Sequence, residues 1–332
     1  MRTIARIPQA PPVESIRELY LEVTNRCNSL CRTCPLTFGP HEPERDLSFA
    51  EMRRVVEQCP GLERVVLHGI GEPLLNRELP EMIRWLAGRG LHTLFNTNAI
   101  ALSQRRGDRI VEAGLECLRI SIDGATRPTY ALLRGVDALE KVVANARAFR
   151  LRHPGTPDCE VFFTCSRANL HELPALVRLV ARIGIHTLNV QRLVYWGQGM
   201  AREELALYRN LSEQEAALLE GARATAASEG VLLKASGGTD PVSSLSGRIK
   251  ARGDGCARPW KLVYVTCHGH LLPCCISPFT GVPFDELVLG NVLEQPLAEL
   301  WANGSYRRLR AGLAGDGPAH AACHGCGERW PY

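Results

Sequence analysis

Cys27, Cys31 and Cys34 stand as Cys-x3-Cys-x2-Cys directly after an alternating, strand-like run. Four thiolates close a structural metal centre, whereas three leave one coordination position open for a substrate or cofactor. The spacing alone also admits zinc, since Cys-x2-Cys is a common zinc pattern. A second set follows later in the chain: Cys256, then Gly269-x4-Cys274, then Cys323-His324-Gly325-Cys326. Cys256, Cys274, Cys323 and Cys326 together could close one tetrahedral zinc site or hold one four-iron cluster. Cys275 competes with Cys274 for that role, and Cys267 is a weaker candidate. Cys59, Cys117 and Cys159 fit the ordinary fate of a free cysteine, a small buried hydrophobe.

Such groups need a frame to bring them together. Strand-type runs at 19–24, 64–68, 91–95, 117–122, 159–164 and 187–193 alternate with helical patterns, the sign of βα units and a parallel sheet. A helix from Phe49 is opened by a Ser48-x-x-Glu51 capping box, and another from Glu213 by Ser212-x-x-Glu215. Further helices are expected at 79–87, 104–113, 137–151 and 170–183. Within the strands the faces separate: Leu118, Ile120 and Ile122 oppose Arg119, Ser121 and Asp123, and Val161 and Phe163 oppose Glu160 and Thr164. Asn189 and Gln191 likewise alternate with Leu188 and Val190. With Glu22, His68, Asn96 and Asn98 these polar residues predict an inner wall to which every strand contributes, the lumen of an enzyme barrel. Cys165, on the other face, points toward the helices.

The candidate residues share a position. Cys27 follows the first strand, Gly69-Ile70-Gly71-Glu72-Pro73 the second, Asn96-Thr97-Asn98 closes the third and Asp123-Gly124 the fourth. All lie at C-terminal strand ends, where α/β barrels build active sites. Glycine there permits close approach of a ligand to the backbone.

The chain has 332 residues, a net charge of +4 and 13 cysteines. That length suits one barrel-sized domain with an appendage. The basic residues are dispersed, so no nucleic-acid footprint stands out, and Tyr306-Arg307-Arg308-Leu309-Arg310 reads as a solvated helix face. No apolar run is long enough to cross a membrane. Many cysteines without an apolar signal region suggest thiols kept reduced in the cytoplasm. The Gly/Ser-rich stretch 236–255 reads as a linker. The expected organisation is an extension at 1–18, a barrel at 19–235, the linker, and a cysteine-bearing domain at 256–332.

The run T-N-R-C-N-S-L-C-R-T-C-P resembles the cysteine motif of radical S-adenosylmethionine (SAM) enzymes, and H-G-I-G-E-P-L-L-N is similar to their Gly-Gly-Glu-Pro motif, with Ile70 in place of a glycine. F-N-T-N-A, R-I-S-I-D-G-A and Y-A-L-L-R-G also look like segments of that family. W-K-L-V-Y-V-T-C-H-G-H-L-L-P-C-C and L-G-N-V-L-E-Q-P-L-A-E-L-W resemble the auxiliary-cluster domains called SPASM and Twitch. The resemblance implies a partial (β/α)6 TIM-like barrel with a small C-terminal auxiliary-cluster domain. It implies a SAM-binding [4Fe-4S] cluster on Cys27, Cys31 and Cys34, with SAM held near Gly71, Glu72, Pro73, Asn96, Thr97, Asn98, Ser121, Asp123 and Arg134. It further implies one auxiliary [4Fe-4S] cluster on Cys256, Cys274, Cys323 and Cys326.

SAM and iron-sulfur centres carry radical chemistry. The expected activity is reductive cleavage of SAM to a 5′-deoxyadenosyl radical, hydrogen abstraction from a substrate carbon, and a dehydrogenation in which the auxiliary cluster accepts the second electron. A peptide-modifying enzyme or an epimerase is the alternative within the class, and a zinc protein without radical chemistry the alternative outside it. Arg119, Glu160, Thr164, Asn189 and Gln191 are the lumenal candidates for holding a small-molecule or peptide substrate. An electron donor such as flavodoxin or ferredoxin would be the partner. The barrel's start near residue 19 leans toward a small molecule or a separately recruited peptide.

Overall fold

The computed structural model describes residues 11–39, 42–235, 240–246, 256–323 and 326. Its ten strands are β1 (Glu18–Leu21), β2 (Arg64–Val66), β3 (His92–Thr97), β4 (Cys117–Ser121), β5 (Asp158–Cys165), β6 (Thr187–Arg192), β7 (Leu232–Ala235), β8 (Leu262–Val265), β9 (His270–Leu272) and β10 (Gly290–Asn291). The helices of the first part are α1 (Phe49–Val56), α2 (Leu79–Ala87), α3 (Gln104–Glu112), α4 (Arg127–Arg134), α5 (Leu139–Arg152), α6 (Leu173–Ile183) and α7 (Glu213–Ser228). Shorter helices follow: α8 (Pro241–Leu245), α9 (Arg258–Lys261), α10 (Phe284–Leu287) and α11 (Leu297–Trp301), then the longer α12 (Gly304–Ala314).

The ten strands among the described residues form one sheet in the order β10-β9-β8-β1-β2-β3-β4-β5-β6-β7. Strands β1 to β7 are parallel neighbours in chain order, with helices in the crossovers, as parallel pairing requires. The order has two ends, so the barrel is open. Six of these strands stand where the alternation predicts them; β7 is a seventh. The sheet also runs across the boundary expected at the linker, because β8 pairs in parallel with β1, Glu18 opposite Leu262 and Leu21 opposite Val265. From the expected linker, residues 240–246 are described and carry α8; the rest of it lies outside the described residues.

Local chemistry accounts for the elements. Both capping boxes form: Ser48 accepts from the Glu51 amide while the Glu51 carboxylate accepts from the Ser48 amide, and Ser212 and Glu215 do the same for α7. Each satisfies two of the amides that a helix start leaves without partners. The expected helix at 170–183 divides into a 3-10 turn, Leu170–Glu172, and α6, with Pro174 in the first turn of α6, where a missing amide is harmless. Leu118, Ile120, Val161, Phe163, Leu188 and Val190 face the helices and are at most 1% exposed. Each contributes about 1.5–3 kcal/mol of burial. Cys165 is buried on this same face, as the alternation predicts.

The basic run in α12 requires a correction. Arg307 and Arg308 face solvent, but Arg310 is buried. Its guanidinium donates to the Pro259 carbonyl at 2.8 Å and the Trp301 carbonyl at 2.6 Å, and lies over the Trp301 and Tyr306 rings. It therefore ties α12 to the segment that enters β8. Cys59 and Cys117 are buried as expected, whereas Cys159 is partly exposed.

Candidate active site

The loop carrying Cys27, Cys31 and Cys34 is held from three sides. Glu72 N donates to Arg26 O at 2.8 Å, and the Arg26 guanidinium forms a bidentate pair with Asp46. On the second side, the C-terminal carbonyls of α4, which helix geometry leaves without intrahelical partners, take up the loop. Arg134 O accepts from Leu30 N and Ser29 Oγ, and Leu133 O from Arg32 N. Gly135 ends α4 in the left-handed region, φ +68°, and a Cβ there would overlap the Leu30 carbonyl. On the third side, the chain after β6 closes over the loop: Met200 N donates to Arg32 O at 2.7 Å and Trp196 Nε1 to Thr33 O at 3.3 Å.

The glycines after β2, which line the main cavity, also serve a close approach within the protein. A Cβ on Gly69 would overlap the Glu22 side chain, and one on Gly71 the Thr24 carbonyl. They let the β2 loop lie against the end of β1. The Glu22 carboxylate is consequently turned away from the main cavity, accepting from Ile70 N, Cys267 N and Tyr264 Oη, and burial pushes its pKa up to about 7.

Glu72 is buried and forms the hub of the next layer. It accepts from Thr97 Oγ1 at 2.7 Å, Asn98 N at 2.7 Å and Leu74 N at 3.2 Å, pinning the end of β3 to the β2 loop. Asn98 Nδ2 lies 3.7 Å from Cys27 Sγ and donates to Asn28 Oδ1 at 2.8 Å. Asp123 bridges Arg134 Nη1 at 2.9 Å and Thr164 N at 2.8 Å, so the end of β4, the end of α4 and β5 are locked together.

These groups surround one cavity of about 300 Å³. Cys27, Cys31 and Cys34 border it, with Gly71 and Glu72, Asn96, Thr97 and Asn98, Ser121 and Asp123, and Arg134. Of the lumenal candidates Arg119, Thr164 and Gln191 line it too. Glu160 and Asn189 do not: Glu160 lies 3.4 Å from both Arg119 and Lys234, and Asn189 sits deeper in the sheet, its Nδ2 buried without a hydrogen-bond partner among the described residues. Pro73 also falls outside the lining, buried at the start of a 3-10 turn.

Several lining residues were absent from the sequence expectation. Phe162 follows from the same alternation, lying between Glu160 and Thr164, and carries Arg119 over its ring at 4.9 Å. Tyr20, Arg192, Arg258, Cys275 and Phe279 also line the cavity; the last three reach it only because β8 docks on β1, which no local pattern announces. Cys275 borders the cavity, whereas Cys274 lies within electrostatic reach of Cys256 and Arg258. Cys323 packs on the main core, Cys326 is described at the end of its turn, and the intervening His324 and Gly325 lie outside the described residues.

The chemistry of the donor set suits a cluster and a polar ligand. Burial pushes the Cys27 thiol up to about 11 and the Cys34 thiol up to about 12, so both are protonated at neutral pH until a metal takes them as thiolates and releases the protons. Among the described residues no three His, Cys, Asp or Glu side chains converge on one metal ion. A cuboidal cluster, which meets each thiolate at a separate iron, accepts wider spacing. Among the described residues Asn96 Oδ1, His68 Nδ1 and Arg134 Nε are buried without a hydrogen-bond partner, at residues that line the cavity. Burial, with the Arg119 charge, holds His68 down at about 4, so it enters neutral, able to accept.

Comparison with known proteins agrees. A family model described as the radical SAM superfamily matches residues 21–180, and one described as an iron-sulfur cluster-binding domain, SPASM, matches residues 256–327. An AdoMet-dependent heme synthase of Methanosarcina barkeri is 25% identical, over 94% of this chain and 91% of its own length. A PqqA peptide cyclase of Xanthomonas campestris is 26% identical, over 96% and 80%. Streptococcus suis SuiB, solved bound to precursor peptide SuiA, superposes with a TM-score of 0.71 at 17% identity, covering 91% of this chain and 67% of that one. Native anSMEcpe, solved with bound AdoMet and Cp18Cys peptide, gives 0.65 at 14% identity, over 93% and 85%. At such identities these two likenesses concern the fold. Among the described residues no helix is long and apolar enough to cross a membrane.

Proposed function

The chain belongs to the radical SAM superfamily and carries a SPASM domain, and from that premise we propose that it is a radical SAM dehydrogenase. Its radical SAM domain binds a [4Fe-4S] cluster and SAM, and its SPASM domain binds auxiliary iron-sulfur clusters, which leaves zinc without support. Those cofactors supply reductive cleavage of SAM to a 5′-deoxyadenosyl radical, hydrogen abstraction from a substrate carbon, and an acceptor for the second electron of a dehydrogenation.

The observation that carries the reading is that the three cysteines and all the expected SAM-site residues except Pro73 line one cavity. In this proposal Cys27, Cys31 and Cys34 are the ligands of the first cluster. The Gly71 backbone, Asn96 and Asn98, and Ser121 hold SAM. Glu72, Thr97 and Asp123 position those segments, since their side chains are engaged in hydrogen bonds within the protein, and Arg134 Nε has no hydrogen-bond partner among the described residues. Arg119, Thr164 and Gln191 hold substrate opposite. Cys256, Cys274, Cys323 and Cys326 hold one auxiliary cluster in the region 256–332, and the barrel occupies 19–235.

The test is anaerobic reconstitution with iron and sulfide counted per chain, followed by SAM turnover. Cys31→Ala should abolish 5′-deoxyadenosine. The double variant Cys323→Ala, Cys326→Ala should keep SAM cleavage and lose dehydrogenated product; unchanged product would remove the acceptor role.

A second reading, modification of a peptide, is favoured by the PqqA peptide cyclase relative, which matches 96% of this chain. The two separate on substrate: a small molecule dehydrogenated without any peptide, or a peptide altered in mass.

A further inference from the structure

A second cavity, of about 260 Å³, opens on the outer side of the loop that walls the first. Its floor is apolar, with Leu79 at the start of α2 and Ile110 of α3, both buried. Its rim is four arginines, Arg26, Arg77, Arg106 and Arg109, and among the described residues no carboxylate lines it. Arg26 is engaged by Asp46 and the Leu75 carbonyl, and Arg106 by the Ala101 carbonyl. Arg77 and Arg109 stand exposed to solvent with no ion pair among the described residues. In a chain whose net charge is only +4, with the Arg26 charge taken up by Asp46, the three remaining guanidinium groups around one hollow make a local field that selects carboxylates.

The two cavities share a wall. Arg26 borders the outer one and its chain neighbour Cys27 the inner one. In the β2 loop, Glu72 faces inward while Leu74 and Leu75 face outward, and the Glu72 amide is hydrogen-bonded to the Arg26 carbonyl. What seats on the rim meets a residue whose direct chain neighbour, Cys27, borders the inner cavity.

We infer that this arginine-rimmed cavity docks the one-electron donor, a redox protein that presents carboxylates around its own cofactor, so that an acidic side chain enters the hollow and the electron crosses at the Cys27 loop. The inference rests on the proposed radical SAM reading. One electron leaves the donor and one arrives at the cluster; no bond is made or broken at the docking surface. Charge complementarity of this kind sets encounter rate and register, and is weakened by salt.

The experiment uses the reconstituted protein and the double variant Arg77→Glu, Arg109→Glu, neither residue being part of the SAM or cluster site. Binding of an acidic bacterial flavodoxin is followed by fluorescence anisotropy at low and high ionic strength. The formation of 5′-deoxyadenosine is measured with reduced flavodoxin and, separately, with dithionite, which needs no docking surface. The expected result is a saturable wild-type complex weakened at least tenfold by the variant, with the difference shrinking in high salt. Flavodoxin-driven turnover should fall in parallel and dithionite-driven turnover stay within twofold. Equal flavodoxin binding by both proteins, no saturable binding by the wild type at low salt, or equal losses with both reductants would each overturn the assignment. Failure of the wild type to make 5′-deoxyadenosine with dithionite would instead strike the radical SAM reading beneath it.

Discussion

Replacing Glu72 by alanine tests whether this carboxylate positions the segments proposed to hold SAM or touches the ligand itself. The side chain accepts two short hydrogen bonds, from Thr97 Oγ1 and Asn98 N at 2.7 Å each, and a longer one from Leu74 N at 3.2 Å. Hydrogen bonds to a charged acceptor contribute about 1.5–3 kcal/mol each. The two short ones therefore amount to about 3–6 kcal/mol. Part of that is offset by burying the charge, which raises the Glu72 pKa. In the alanine variant the Thr97 hydroxyl can turn elsewhere, but the Asn98 amide is left buried and unmet, so a loss of about 3 kcal/mol is expected. Glu72→Gln keeps one carbonyl acceptor and should lose roughly half of that. The assay is urea unfolding of the reconstituted protein, with the m-value checked so that the midpoint shift reports stability alone, beside equilibrium binding of SAM. Both variants should weaken SAM binding in step with stability. A Glu72→Gln protein of unchanged stability that no longer binds SAM would refute the positioning role and make the carboxylate a ligand contact.

Three further outcomes follow from single side chains. Burial holds Glu22 protonated up to about pH 7, above the ordinary 4.5, so folding takes up a proton. Its contribution is present below pH 4.5 and about 3 kcal/mol of it is lost as pH rises through 7; calorimetry should find a flatter stability profile between pH 5 and 8 in Glu22→Gln. Arg310→Met removes two buried donated hydrogen bonds and a cation seated over two rings, with an expected cost of about 2–4 kcal/mol and a lower iron content in the C-terminal region, measured after reconstitution. Gly71→Ala drives a methyl group into the Thr24 carbonyl, and should cost about 1–3 kcal/mol or more and cut SAM affinity, read by equilibrium dialysis; full affinity would mean that the loop can yield.

The barrel was legible because period-two alternation and capping boxes are local signals. The polar faces of 117–122 and 159–164 marked the lumen, and Ser48 and Ser212 marked their helix starts. Helix α4 was missed although Pro128 opens it and Gly135 ends it, because its eight residues are short for a periodicity argument and, unlike the equally short α1, it has no capping box to mark its start. That omission hid how the cysteine loop is anchored. The cysteine spacing was legible as chemistry, yet Glu160 lay on the expected face and still missed the cavity, because Arg119 and Lys234 draw it aside. The docking of β8 on β1, which brings Arg258 and Cys275 to the site, is a pairing between distant segments and leaves no trace in either one alone. For the same reason Arg310 read as surface: its partners Trp301 and Pro259 reach it only through the tertiary fold.

That same pairing shapes how the chain can be made. Until Leu262–Val265 have left the ribosome, β1 has no partner on one side, and synthesis at roughly 5–20 residues per second leaves that edge bare for on the order of ten seconds or more. An exposed parallel edge of apolar residues such as Leu19 and Leu21 is a template for pairing with other chains. The C-terminal region therefore acts as the fold's own late-arriving guard, and slow or truncated synthesis would yield aggregation well before it yielded a missing cofactor.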